Sequence, residues 1–149
     1  MQKGYRNIYQ RARMTTGLTQ EAWAEVLGIS AEAVRQYESD RILPSDEVML
    51  RMAEACGQNV FCYWHLRNKS RIARAILPEV AHKPMPEAVL SLLVKVREFS
   101  SDGLGELTRI AADGRIDPEE SPAYEEAMRQ LRGMLEAAWE LCYAQTRDE

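Results

Sequence analysis

Several things are scarce in this chain of 149 residues, and each scarcity removes a class of protein. No apolar run approaches the roughly 20 residues a membrane-spanning helix requires. The opening Met-Gln-Lys-Gly-Tyr-Arg lacks a hydrophobic stretch and a small-residue cleavage site, which argues against secretion and for a cytoplasmic location. Cysteine is limited to Cys56, Cys62 and Cys142, an odd set without framework spacing that suits reduced thiols. No segment sustains the alternation of β-branched residues that marks a strand, so the fold class is all-α. There is no glycine-rich phosphate loop, no internal repeat and no low-complexity stretch.

What is present is a well-mixed chain, 46% hydrophobic and 28% charged, which predicts a folded protein. The net charge of −4 by itself disfavours a polyanionic partner. Its distribution is uneven, with ten Lys/Arg against eight Asp/Glu from Met1 to Arg71 and nine against fifteen from Ile72 to Glu149. Phosphate attraction depends on where charges lie, so a mildly basic first part can face nucleic acid while the acidic part does another job.

Helix punctuation is dense. A first helix is predicted from about Gly4 to Thr16, stopping at Gly17. Thr19 caps a second that ends at Gly28, Ser30 a third that runs to about Ser39, and Pro44-Ser45 open a fourth that ends at Gly57. A fifth spans Asn59 to about Lys69. Three prolines, Pro78, Pro84 and Pro86, then mark a connector over residues 72–85 between an N-terminal domain (1–71) and a C-terminal region (86–149). Past it, Val89, Leu92, Leu93, Val96 and Phe99 follow a helical stripe, and a short helix from Asp102 to Ala112 ends at the turn Asp113-Gly114. Asp117-Pro-Glu-Glu120 reads as the cap and first turn of a long last helix reaching about Thr146.

The segment from Leu18 to Glu38 carries the most specific pattern. Two short helices joined by one tight turn must cross closely; Ala24 lets them approach and Gly28 permits the turn. Trp23 and Leu27 face inward from the first, while Ile29 and Val34 anchor the second. With Leu18-Thr19-Gln20, Gly28-Ile29-Ser30, Tyr37-Glu38 and Pro44, the stretch from Tyr5 to Leu66 resembles the phage-repressor-like (Xre, lambda-repressor-like) helix-turn-helix family.

The resemblance implies a five-helix domain whose third helix enters the major groove of DNA. Its base-facing positions would be Ala31, Glu32, Ala33, Arg35 and Gln36, its phosphate contacts Gln20, Thr19, Ser30, Arg41 and Arg11, and its internal ion pair Arg13 with Glu38. Further basic candidates for phosphate are Lys3, Arg6, Lys69 and Arg71. Two departures stand out. Asp40 replaces a usual glycine, and Glu32 brings a carboxylate to the groove, where it can accept from cytosine N4 but repels phosphates. The implied function is a sequence-specific transcriptional regulator, a dimeric repressor of bacterial or phage origin. The alternative is a protein-interaction module of antitoxin or anti-repressor type on the same fold.

In the last helix Tyr124, Met128, Leu131, Leu135, Ala138 and Cys142 recur at intervals of four and three, a seam suited to homodimerisation through the C-terminal helices. The alternative is a bundle closed within one chain. Other constellations carry less. Asp113-Gly-Arg-Ile-Asp117 resembles a calcium loop only superficially, since Arg115 sits where a ligand belongs. Cys62 and His65, with Cys56 and His82, lack regular zinc spacing, and Phe61, Tyr63 and Trp64 read as core where domains meet. No catalytic set, metal site or cofactor is expected, so the protein is not read as an enzyme, and any effector is unspecified.

Overall fold

The computed structural model describes residues 4–112 and 114–145, and these form helices and turns with no strand among them. The chain divides into two compact units, one ending at Leu77 and one beginning at Pro78. Among the described residues, no helix is long and apolar enough to cross a membrane.

The first unit holds α1 (Ile8–Thr16), α2 (Gln20–Leu27), α3 (Ala31–Glu38), α4 (Asp46–Cys56), α5 (Val60–Lys69) and α6 (Arg71–Ile76). Most begin on a side-chain oxygen that accepts from an otherwise unpaired backbone N–H: Thr19 from Ala22, Ser30 from Ala33, Ser45 from Val48. The same chemistry moves the first helix. It starts at Ile8 rather than Gly4, because Asn7 Oδ1 accepts from the backbone of both Tyr9 and Gln10. It also adds a helix where the sequence suggested a connector, since Ser70 caps Arg71–Ile76 and buries Ala73. Trp23, Leu27, Val34, Met49, Met52 and Phe61 are the heart of the core, with Ala24 buried at the α2–α3 crossing. Gly28 turns the chain at φ 63°, and Asp40, standing where a glycine was expected, takes φ 57° while its Oδ1 accepts from Asn7 Nδ2 at 2.8 Å.

The second unit is a helical hairpin. α7 (Met85–Glu98) passes through a π-helical turn, Phe99–Gly103, into α8 (Leu104–Ile110) without the break expected near Asp102. α9 (Ser121–Cys142) returns antiparallel: Pro84 pairs with Gln145, Lys95 lies against Gly133, Gly103 against Gln130, and Arg109 reaches Glu120. The inward positions Ala88, Leu92, Lys95 and Phe99 step by four and three. A strict continuation would bring Asp102 to the seam; the π turn adds one residue and brings Gly103 instead. A glycine fits closely there: a Cβ would lie 2.7 Å from Gln130 Oε1 and 2.8 Å from the Phe99 ring, so one of these side chains would have to shift.

Two expectations change here. The last helix begins at Ser121, not Asp117, and ends at Cys142; Thr146 lies outside the described residues. Asp117 and Glu120 instead close a turn, with Asp117 N donating to Glu120 Oε2 and Glu120 N to the Asp117 carbonyl. The connector is also not free chain. Ala81 N and Lys83 Nζ donate to the buried Glu140 carboxylate at 3.4 and 2.6 Å, and Lys83 and Met85 exchange backbone bonds with Gln145. Residues 78–84 are thus laced onto α9 as part of the second unit.

Candidate nucleic-acid interface

α3 is positioned by the pair Arg13–Glu38. Arg13 Nε donates to Glu38 Oε1 at 2.6 Å and Nη2 to Oε2 at 3.1 Å, both side chains being buried. Arg13 Nη1 also donates to the Leu18 carbonyl, and Gln20 Nε2 donates to Glu38 Oε2 at 2.8 Å. One carboxylate therefore ties α1, the start of α2 and the end of α3, and its bidentate, multiply bonded state is what makes a buried charge tolerable. One N–H of the Gln20 amide is committed to this clamp, which leaves the other N–H and the carbonyl oxygen for any outer partner.

With Val34, Tyr37 and Glu38 buried, helical geometry turns Glu32 and Arg35 fully outward with the half-buried Gln36 beside them, and leaves Ala31 and Ala33 half-buried on the flanks. The three polar side chains are bonded to one another. Arg35 Nε donates to Glu32 Oε2 at 3.1 Å, Gln36 Nε2 donates to Glu32 Oε1 at 3.2 Å, and Arg35 Nη1 reaches Glu21 at 3.4 Å. The hydrogen bonds from Arg35 and then Gln36 hold the Glu32 carboxyl below its ordinary range. Glu32 is thus a carboxylate at neutral pH, and it competes for the two side chains best able to read bases.

Beside this face lies an open cleft of about 400 Å³, into which Arg6 and Gln10 project from the start of α1, Gln20 from α2, and Ser39 and Arg41 from the end of α3. Gln10 and Ser39 were not picked out in the sequence. Gln10 stands three residues before Arg13, one turn along the same helix, which was the available signal. Thr19 and Ser30 are exposed and spend their oxygens on helix caps, which leaves each hydroxyl hydrogen free to donate outward. Arg11 is turned elsewhere, its guanidinium 4.8 Å from the Trp64 ring centre. Lys69 is paired with Asp46 at 2.7 Å, Arg71 opens α6, and Lys3 lies outside the described residues.

The remaining candidates are structural in their surroundings. His65 is buried, with Nδ1 3.0 Å from the Tyr9 hydroxyl and Nε2 3.4 Å from Asp46 Oδ1, so it faces these groups across α1 and α4. Burial pushes the Tyr9 phenol up to about 12 and the His65 imidazole below its ordinary value. Phe61 and Tyr63 lie in the core of the first unit, and Trp64 meets Phe61 edge to face.

The six seam positions from Tyr124 to Cys142 are not the most buried line of α9: Tyr124, Met128, Leu131 and Ala138 are half-buried. Ala127 and Ala137 are the buried apolar residues of α9, whereas Leu135 is half exposed and Cys142 is exposed. The reason is packing distance: small residues occupy the line of closest approach between two helices, and the larger ones one position further round are left at its side.

Residues 10–59 match the family model described as a helix-turn-helix domain. No curated protein and no solved structure matches the chain. The match covers α2 and α3 with most of α1 and all of α4, so the first unit of this protein carries a helix-turn-helix domain.

Proposed function

We propose that this protein is a sequence-specific DNA-binding regulator of transcription, of phage-repressor-like type, acting in the cytoplasm as a homodimeric repressor. The observation that carries the reading is the outward face of α3, Glu32, Arg35 and Gln36, beside a cleft edged by Arg6 and Arg41. α3 enters the major groove, Arg35 and Gln36 leave Glu32 to meet guanine or adenine, and Arg6, Arg41 and the Thr19 and Ser30 hydroxyls meet phosphate. Binding alone blocks polymerase, so no catalysis is assigned to the chain.

A fluorescence-anisotropy titration against a library of short duplexes tests this. The expected result is salt-sensitive, nanomolar binding to one sequence class; absence of any preference over random DNA at low salt defeats the reading. Arg35→Ala and Gln36→Ala each remove about 1–3 kcal/mol of discrimination, whereas Arg41→Ala weakens all sequences alike.

A second reading, a protein-interaction module, draws on the bonding of Glu32, which neutralises the only arginine on the outward face of α3. Glu32→Gln separates the two. It tightens DNA binding under the first reading and leaves a protein-binding activity without DNA under the second.

A further inference from the structure

The hairpin of the second unit is two-faced in a way that neither helix reveals alone. The positions one step after the inward residues of α7 and the π turn are Val89, Leu93, Val96, Ser100 and Leu104, and the four apolar ones are between 37 and 59% exposed. On α9 the inward Ala127, Gln130 and Ala137 are followed one step on by Met128, Leu131 and Ala138, and the seam positions Tyr124, Leu135 and Cys142 continue that line at intervals of four and three. One step rotates a side chain by about 100° in the same sense on each helix. Because the helices face each other and run in opposite directions, that rotation brings both sets to the same side of the hairpin. This side carries no charged residue at those positions, whereas one step before the inward residues Glu87, Glu98, Asp102, Glu126, Arg129 and Glu136 stand beside the uncharged Ser91 and Val94.

We propose that this composite face is the homodimer interface, and that two hairpins close it into a four-helix bundle. The proposal deepens the dimeric reading above by assigning it to both arms of the hairpin rather than to α9 alone. The size fits: the 22 residues of α9 extend about 33 Å and two adjacent helices span about 20 Å. The resulting face, about 650 Å² in projection, is comparable to the about 800 Å² per partner of a stable interface. The chemistry fits a second copy, because a two-fold axis sets the face against itself, and an uncharged face does so without opposing like charges. An anionic membrane or nucleic acid is disfavoured by the surroundings, with eight Lys/Arg against fifteen Asp/Glu from Pro78 to Glu149. A two-helix hairpin also buries only one stripe of each helix, so the second pair completes a core the first cannot close.

The test is sedimentation equilibrium of the full chain at micromolar concentration, with helicity followed by circular dichroism. The expected mass is twice that of one chain. Leu93→Glu reduces it to that of a single chain, whereas Leu90→Glu, on the same helix and 64% exposed but turned away from the face, leaves the dimer intact. Leu135→Gln, a milder change on α9, raises the dissociation constant by about tenfold or more and stands in if Leu93→Glu does not fold. A monomeric wild type overturns the proposal. So does a dimer that Leu135→Gln leaves unchanged, or one that Leu90→Glu disrupts as strongly as Leu93→Glu. Duplex titration is scored separately: a dimer without sequence preference removes the regulator reading and keeps this interface, and a sequence-reading monomer does the reverse.

Discussion

In the first unit α1, α2, α3, α4 and α6 each start on a side chain that accepts from the backbone, while α7 and α9 of the second unit start on none. The first unit has short helices, tight turns and a buried ion pair that joins three elements. The second has two long arms joined by one connection, and its buried carboxylate, Glu140, ties α9 only to the segment before α7. Short helices are marginal by themselves, so each end and crossing must be specified locally. Long helices tolerate bare ends, and their specification lies along their length, in the phase of the seam. One unit is therefore sensitive to the loss of single polar partners and the other to errors of packing and register.

The sharpest way to break this contrast is at Arg13. Arg13→Met leaves Glu38 buried without its cation and costs about 3–5 kcal/mol of stability. Hydrogen exchange read by mass spectrometry is expected to show α1, α2 and α3 losing protection while α7 and α9 keep theirs. Equal loss in both units would mean that they do not stand independently.

In the second unit the corresponding change is Gly103→Ala. Helix propensity favours alanine by about 1 kcal/mol, but the Phe99 ring and Gln130 stand too close to a Cβ, and overpacking of this kind costs about 1–3 kcal/mol. A net loss of up to about 2 kcal/mol in thermal melts is expected, with sequence preference for DNA retained. A stabilised variant would show that the π turn carries no packing constraint.

The smallest effect is one of pH. Burial lowers the imidazole pKa of His65 in the folded state, so the unfolded chain binds more protons once the pH falls below about 6.5. The stability this group contributes is present above that value and is lost as the pH falls through the folded pKa. Melting temperatures should decline with acidification from about pH 6.5, and His65→Gln should flatten that decline. An unchanged slope would place the acid sensitivity elsewhere.

Much of the first unit was legible because its signals are local. Thr19, Ser30 and Ser45 cap within three residues of themselves, and Gly28 ends a helix by its own backbone freedom. The partnership of Arg13 with Glu38 came instead through likeness to a family. The bonding of Glu32 to Arg35 and Gln36 lies within one helical turn, yet the sequence shows only three polar side chains on one face, because propensity and pattern do not say which of several side chains a carboxylate will choose. Gln10 and Ser39 were missed for a related reason: a cleft is assembled from elements far apart in the chain.

In the second unit the periodicity of α9 was visible, but not which of its stripes meets α7. Stripes one residue apart have the same spacing, and apolar size favours the stripe with Leu and Met over the one with Ala and Gly. Helix formation, caps, turns and charge distribution depend on neighbours along the chain, so sequence alone determined them. Which stripe meets its own hairpin partner, where an extra residue is taken up as a π turn, and which carboxylates are buried with a cation were decided by tertiary structure. Each depends on the distance at which two helices can pack.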